Sequence, residues 1–115
     1  IIFIRHAIAP GNGDPQNFDI SNCSTQRNLS KDGELQALKI GKFFKENDIK
    51  LTKVLSSEWC RCKDTAKIAF GDYTGNLVLV THYVVISEIL DLATSSGEIV
   101  ITDANLKFLG SLEIN

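Results

Sequence analysis

Ile1-Ile2-Phe3-Ile4-Arg5-His6 opens the chain and points to its architecture. Four consecutive apolar residues, all β-branched or aromatic, form the pattern of a strand buried on both faces. Such strands belong to sheets covered by helices. In open sheets of that kind, ligands bind in the crevice beyond the carboxyl ends of the strands. An Arg-His pair at that end carries fitting chemistry. The guanidinium of Arg5 is a planar fork of donors matched to phosphate oxygens. A neutral imidazole at His6 can act as nucleophile, acid, base or metal ligand. A strand that happens to end in two polar residues is the plain alternative for the pair taken alone.

Two further segments repeat the arrangement. Leu77-Val78-Leu79-Val80-Thr81-His82 reads as a second buried strand with a His at its end. Val54-Leu55-Ser56-Ser57 reads as a third, running into Glu58-Trp59-Cys60-Arg61-Cys62-Lys63-Asp64-Thr65-Ala66, the start of a helix. Parallel strands joined by helices place their carboxyl ends at one sheet edge. Arg5, His6, Arg61 and His82 are therefore expected around one anion.

Outward from these strands the elements alternate. Strand one covers 1–4, and a long connection rich in Gly, Asn, Asp, Pro and Ser covers 7–29. Irregular segments of that length are usually functional or mobile. Ser30 is the expected N-cap of a helix, with Glu34 close to the capping-box position. Leu35, Leu38, Ile40, Phe43 and Phe44 give that helix an apolar stripe, and Asn47-Asp48 ends it. Strand two follows over 53–56, a helix over 59–69, strand three over 77–81 and a helix over 84–93. Strands over 98–102 and 107–113 close the chain as an antiparallel pair. The pattern predicts an α/β fold in three layers, with a mainly parallel central sheet, helices on both faces and antiparallel C-terminal edge strands.

Composition narrows the function classes. The chain has 115 residues, 43% hydrophobic and 23% charged, which fits one globular domain over 1–115. A net charge of −2 gives no nucleic-acid footprint, and no apolar run approaches a membrane span. There is no repeat. The chain begins inside its first strand and contains no Met. It therefore reads as part of a longer gene product, and the missing leader carries no information.

The motifs resemble the histidine phosphatase superfamily, also described as phosphoglycerate mutase-like or acid phosphatase-like. Arg5-His6-Ala7 stands for the usual Arg-His-Gly, and Leu29-Ser30-Lys31-Asp32-Gly33-Glu34-Leu35-Gln36-Ala37 for the helix opening. The stretch Ser56 to Ala66 matches the second-Arg motif, and Val80-Thr81-His82 the second-His motif. Ser96-Gly97-Glu98-Ile99-Val100-Ile101 is similar to the strand that follows. Cys23-Ser24-Thr25-Gln26-Arg27-Asn28-Leu29-Ser30 and Trp59-Cys60-Arg61-Cys62 resemble a bacterial subgroup whose members often carry an export signal. A periplasmic or secreted location is expected on that ground, with a cytoplasmic one as the alternative.

The resemblance implies a metal-independent phosphomonoesterase. His6 would attack phosphorus and form a phosphohistidine intermediate. Arg5 and Arg61 would hold the nonbridging oxygens, and His82 would donate to another, helped by the amino end of the helix that follows. No cofactor is implied, and no His/Asp/Glu cluster has metal-ligand spacing. The expected partner is a phosphorylated small molecule or phosphorylated glycan. A phosphoryl mutase and a catalytically weak phosphate-binding or regulatory domain are the alternatives. Asn12 stands where related enzymes often place an Asn on phosphate, with a turn residue beside Gly11 and Gly13 as the alternative. Arg27 is a further substrate-binding candidate, against a surface salt bridge. Asp14 and Asp19 are proton-donor candidates, although loop solvation is the expected state of each. Family members usually carry an insertion between the second-Arg helix and the second-His strand, often with the general acid. Only six residues, Gly71 to Asn76, separate Phe70 from Leu77 here, and residues missing from the chain are expected at this point.

Three cysteines remain. Cys23 is able to pair with Cys60 or with Cys62 if the connection folds over the crevice, and three reduced thiols are the alternative. The exported subgroup favours one bridge. Trp59 is expected to pack under the connection rather than stack on a sugar, and Tyr83 to form pocket wall. Ala7 in place of Gly is tolerated if its backbone φ is negative.

Overall fold

Three parallel strands and two antiparallel ones form a single sheet in the order β2-β3-β1-β4-β5. The structure, a computed structural model, describes residues 1–71 and 76–114, with the side chains of 76 and 77 left out. The segment expected to lack residues falls on 72–75, outside the described residues.

The elements run β1 (Ile2–Arg5), α1 (Lys31–Glu46), β2 (Leu51–Ser56), α2 (Cys60–Ala69), β3 (Asn76–Thr81), α3 (Tyr83–Leu90), β4 (Ile99–Thr102) and β5 (Phe108–Leu112). A 3-10 turn over Cys23–Thr25 interrupts the long connection. β1 lies at the centre. It pairs in parallel with β3, Ile4 opposite Val80 and Arg5 opposite Thr81, and antiparallel with β4. β2 pairs in parallel with β3 on the far side. Three carboxyl ends, at Arg5, Ser56 and Thr81, therefore share one edge.

The period of two along each strand divides the core. Ile2, Ile4, Val78, Val80 and Ile99 face one side, where they pack with Ile40 and Phe44 of α1 and Cys62, Ala66 and Ala69 of α2. Phe3 and Val100 face the other, where Ile86 of α3 meets them. Helices thus cover both faces, which is why β1 carries no polar residue before Arg5.

The buried face of α1 matches its apolar stripe at Ile40 and Phe44 and departs from it at the N-terminal end. Leu35 and Leu38 are each 55% exposed, whereas Gly33, Gln36, Ala37, Ile40, Gly41 and Phe44 are buried. Close approach is the reason. A Cβ on Gly41 would lie 2.4 Å from the Ala69 carbonyl oxygen, and one on Gly33 would lie 2.1 Å from that of Ile8. The glycines let α1 touch α2 and the segment after His6. Ser30 caps α1 by accepting from the Gly33 N–H, as expected. The capping box is not formed, because that third helical position is Gly33 and not Glu34.

The other boundaries shift by small amounts. β2 begins at Leu51, two residues early, with an irregularity between Leu51 and Lys53. α3 ends at Leu90 because Asp91 turns left-handed at φ 55°. That stop releases the following backbone, including the Thr94 carbonyl, toward the sheet edge.

Candidate active site

The backbone at the sheet edge is tied together before any side chain is considered. The His6 N–H donates to the Thr81 carbonyl at 2.9 Å, and Ser57 N–H to the Val80 carbonyl at 3.1 Å. Gly97 N–H reaches the carbonyls of Arg5 and His6, both at 3.0 Å. Thr65 of α2 accepts from the Ala7 N–H at 3.0 Å and donates to the Arg61 carbonyl at 2.7 Å. One hydroxyl thus locks the exit of β1 to the turn of α2 that carries Arg61. Ala7 is buried and outside the left-handed region, so its Cβ is accommodated.

His6 is buried, and its Nδ1 lies 2.8 Å from the Ala7 carbonyl. A carbonyl only accepts, so Nδ1 carries the proton and Nε2 keeps its lone pair. The His82 ring stands edge-on, 5.5 Å away between centroids. Burial is the main cause that lowers the His6 pKa to about 4. The Ala7 bond opposes this, while the positive charges of Arg61 and Arg5 and the nearby His82 add to it. His82 is lowered as well, by burial first and then by Arg61. Its Nε2 lies 2.8 Å from the Ser57 hydroxyl and 3.5 Å from Cys62 Sγ.

A test on the free protein follows. His6 should stay neutral, protonated on Nδ1, down to about pH 4, as read from imidazole nitrogen shifts in an NMR titration. The unfolded chain takes up that proton near pH 6.5. Stability should therefore fall as the pH drops from about 6.5 towards 4, by up to about 3 kcal/mol. A His6 titration at pH 6–7 would refute the burial argument.

Both guanidiniums are held in the same way. Arg5 Nη1 donates to the Thr94 carbonyl at 2.5 Å, and its plane lies over the Tyr83 ring at 5.5 Å. Arg61 Nη1 donates to both oxygens of Asp14, at 3.1 and 3.2 Å, and its plane lies over Trp59 at 4.9 Å. In each the Nε is buried without a hydrogen-bond partner among the described residues. One edge is tied to protein and one face rests on an aromatic ring. The Nε side of each guanidinium is thus left without a protein acceptor among the described residues.

A pocket of about 310 Å³ joins these groups, lined by Arg5, His6, Arg61 and His82 together with Arg27 and the rim of Trp59, Tyr83, Val84 and Val85. The structure therefore brings the four strand-end residues and Arg27 together. It does not bring Asn12, which is exposed and absent from the lining. Arg27 is held by carbonyls rather than by a surface ion pair, its Nε on Gly13 at 2.8 Å and its Nη1 on Ala9. Asp14 departs from the expected solvated state. Its side chain is 9% exposed, and bonds from Arg27 N–H and Arg61 lower its pKa against the cost of burial. Asp19 does sit in an exposed loop, accepting from Ser21.

The connection is fastened over the site. Cys23 is bonded to Cys60 with their Cα atoms 5.7 Å apart, and Cys62 is a free, buried thiol. Gln26, which the sequence did not single out, accepts from the Cys60 N–H at 2.9 Å and so caps α2. Trp59 packs on Phe18 at 4.7 Å while also lining the pocket. Among the described residues no group of three or more His, Cys, Asp or Glu side chains is placed to hold a metal ion.

A family model for the histidine phosphatase superfamily (branch 1) matches residues 1–74. No curated protein matches the chain. Among solved structures, a SixA protein histidine phosphatase complexed with tungstate superposes with a TM-score of 0.70 at 12% identity, covering 96% of this chain and 94% of that one. A SixA described as a putative phosphohistidine phosphatase, from Agrobacterium tumefaciens, gives 0.71 at 17% identity, with coverage of 99% and 97%. Those likenesses establish the shared α/β fold. The family model reaches through the Arg-His strand and the helix of Arg61, and on that match the chain is a phosphatase belonging to the histidine phosphatase superfamily, branch 1.

Proposed function

We propose that the protein hydrolyses phosphomonoesters through a phosphohistidine intermediate on His6, without a metal ion. The observation that carries this reading is the buried His6, whose Nδ1 is turned to the Ala7 carbonyl so that Nε2 keeps its lone pair, beside two guanidiniums whose Nε atoms are unpartnered among the described residues. In the reading, phosphoryl oxygens take the free edges of Arg5 and Arg61. Nε2 of His6 attacks phosphorus in line, so that the N–P bond forms as the P–O bond to the leaving group breaks, and the departing oxygen takes its proton from solvent. His82 donates to a nonbridging oxygen as charge develops. Water then attacks the phosphohistidine and releases phosphate. Arg27 supports the substrate from the side of the connection. The rim of Trp59, Tyr83, Val84 and Val85 gives the body of the substrate, a small phosphorylated molecule or phosphorylated glycan, an apolar border. The Cys23–Cys60 bridge supports an oxidising compartment, periplasmic or extracellular.

Steady-state hydrolysis of p-nitrophenyl phosphate in EDTA tests the reading. Turnover that chelation leaves unchanged is expected. Loss of activity restored by one divalent ion would contradict it. Phosphoryl transfer between two sugar phosphates, faster than release to water, would make the protein a mutase.

A further inference from the structure

We propose that Asp14 is a positioning residue for Arg61. Its carboxylate fixes one terminal nitrogen of the guanidinium so that the opposite edge meets the phosphoryl group. The inference rests on the proposed phosphoryl pocket and adds a residue to it.

Three observations point this way. Both carboxylate oxygens of Asp14 receive Arg61 Nη1, and that nitrogen also donates to the Arg27 carbonyl at 3.4 Å. Nη1 is thereby saturated, while Nε is buried and unpartnered among the described residues. An arginine whose far edge is saturated and whose near edge is bare is oriented toward a ligand. Second, Asp14 is absent from the pocket lining. It stands behind Arg61, where it holds the cation without presenting an anion to the substrate. Third, Asp14 is itself held. Its Oδ1 accepts from the Arg27 N–H at 2.8 Å, and the neighbouring Gly13 carbonyl accepts from Arg27 Nε at 2.8 Å. Two consecutive residues of the connection thus fasten the two arginines that do not lie on β1. Arg5 receives the same service from the Thr94 carbonyl. A carbonyl suffices there, whereas the partner of Arg61 is a full charge, and it brings both oxygens to bear on one nitrogen.

Asp14 also ties down the connection, and a purely structural role must be separated from an action through Arg61. A double-mutant cycle does so. The variants are Asp14→Ala, Arg61→Ala and the pair. The readouts are the dissociation constant of orthovanadate and kcat/KM for p-nitrophenyl phosphate. Asp14→Ala should weaken both by up to about 10²-fold, the scale of a misplaced binding group. In the Arg61→Ala background the same change should cost less than about 2-fold, because the residue it positions is gone. Asp14→Asn keeps an acceptor for the Arg27 N–H and so preserves the connection. It should fall between wild type and Asp14→Ala on both readouts, with an unchanged melting temperature. An Asp14→Ala effect of equal size with and without Arg61 overturns the inference, as does an Asp14→Asn that behaves as wild type. Wild-type protein that binds no orthovanadate would instead overturn the phosphoryl pocket itself.

Discussion

His6→Ala is expected to lower turnover of an aryl phosphate by at least about 10³-fold and to remove acid-labile phosphate from the protein. The size of the effect follows from the absence of a substitute among the described groups in the pocket and around His82. The Cys62 thiol is pushed up to about 12 by burial and stays protonated. The Ser57 hydroxyl is engaged with His82. His82 has its own Nε2 against Ser57 and Cys62, so it is held as a hydrogen-bonding group rather than as a bare nucleophile. The fold should survive, because His6 is a truncation to the size of Ala7 and loses one bond, that to the Ala7 carbonyl. That bond is worth about 1–3 kcal/mol when its acceptor is left buried. Steady-state kinetics and a melting curve on the same sample decide the matter. A folded His6→Ala protein that retains near-normal turnover would exclude His6 as the nucleophile.

Opening the Cys23–Cys60 bridge should have the largest effect on stability. The bridge closes a separation of 37 residues. The chain-entropy relation assigns such a loop about 4 kcal/mol, a drop in melting temperature on the order of 15 °C for a domain of this size. Activity should fall with it. Asp14, Gln26 and Arg27 all ride on the connection that the bridge pins, and Gln26 caps the helix that carries Arg61. Melting curves with and without dithiothreitol, and of a Cys23→Ser/Cys60→Ser variant, measure this. The Cys62→Ser variant separates loss of the bridge from loss of a buried thiol. A melting temperature that reduction leaves unchanged would show that the bridge contributes nothing to the folded state.

What was legible in the sequence was what alternates or accumulates. The apolar runs Ile1 to Ile4 and Leu77 to Val80 read as strands covered on both sides, and their polar ends share an edge once the strands pair in parallel. That logic placed Arg5, His6, Arg61 and His82 together. It failed where packing uses small residues. Of the stripe Leu35, Leu38, Ile40, Phe43 and Phe44, Ile40 and Phe44 lie in the core with Phe43 against it, while Leu35 and Leu38 are exposed. The rest of the buried face is Gly33, Gln36, Ala37 and Gly41, and the two glycines serve by lacking a Cβ. Gln36 was invisible for a related reason. It is buried because its amide satisfies three backbone groups, at Ile8, Ser96 and Ile114, all distant in sequence. The long connection was the hardest part. No local period announces that Asp14 will meet Arg61, or that Arg27 will enter the pocket and Asn12 will not. Those outcomes depend on how the Cys23–Cys60 bridge folds the segment back, and the cysteines alone left two pairings open.

Rapid-quench trapping reads out the covalent phosphohistidine at His6. Wild-type protein mixed with p-nitrophenyl phosphate in EDTA and quenched in base during turnover should yield one phosphorylated peptide, the one containing His6, stable in base and lost in acid. Full turnover with no phosphorylated peptide at any quench time, or with the phosphate on another residue, would contradict the account.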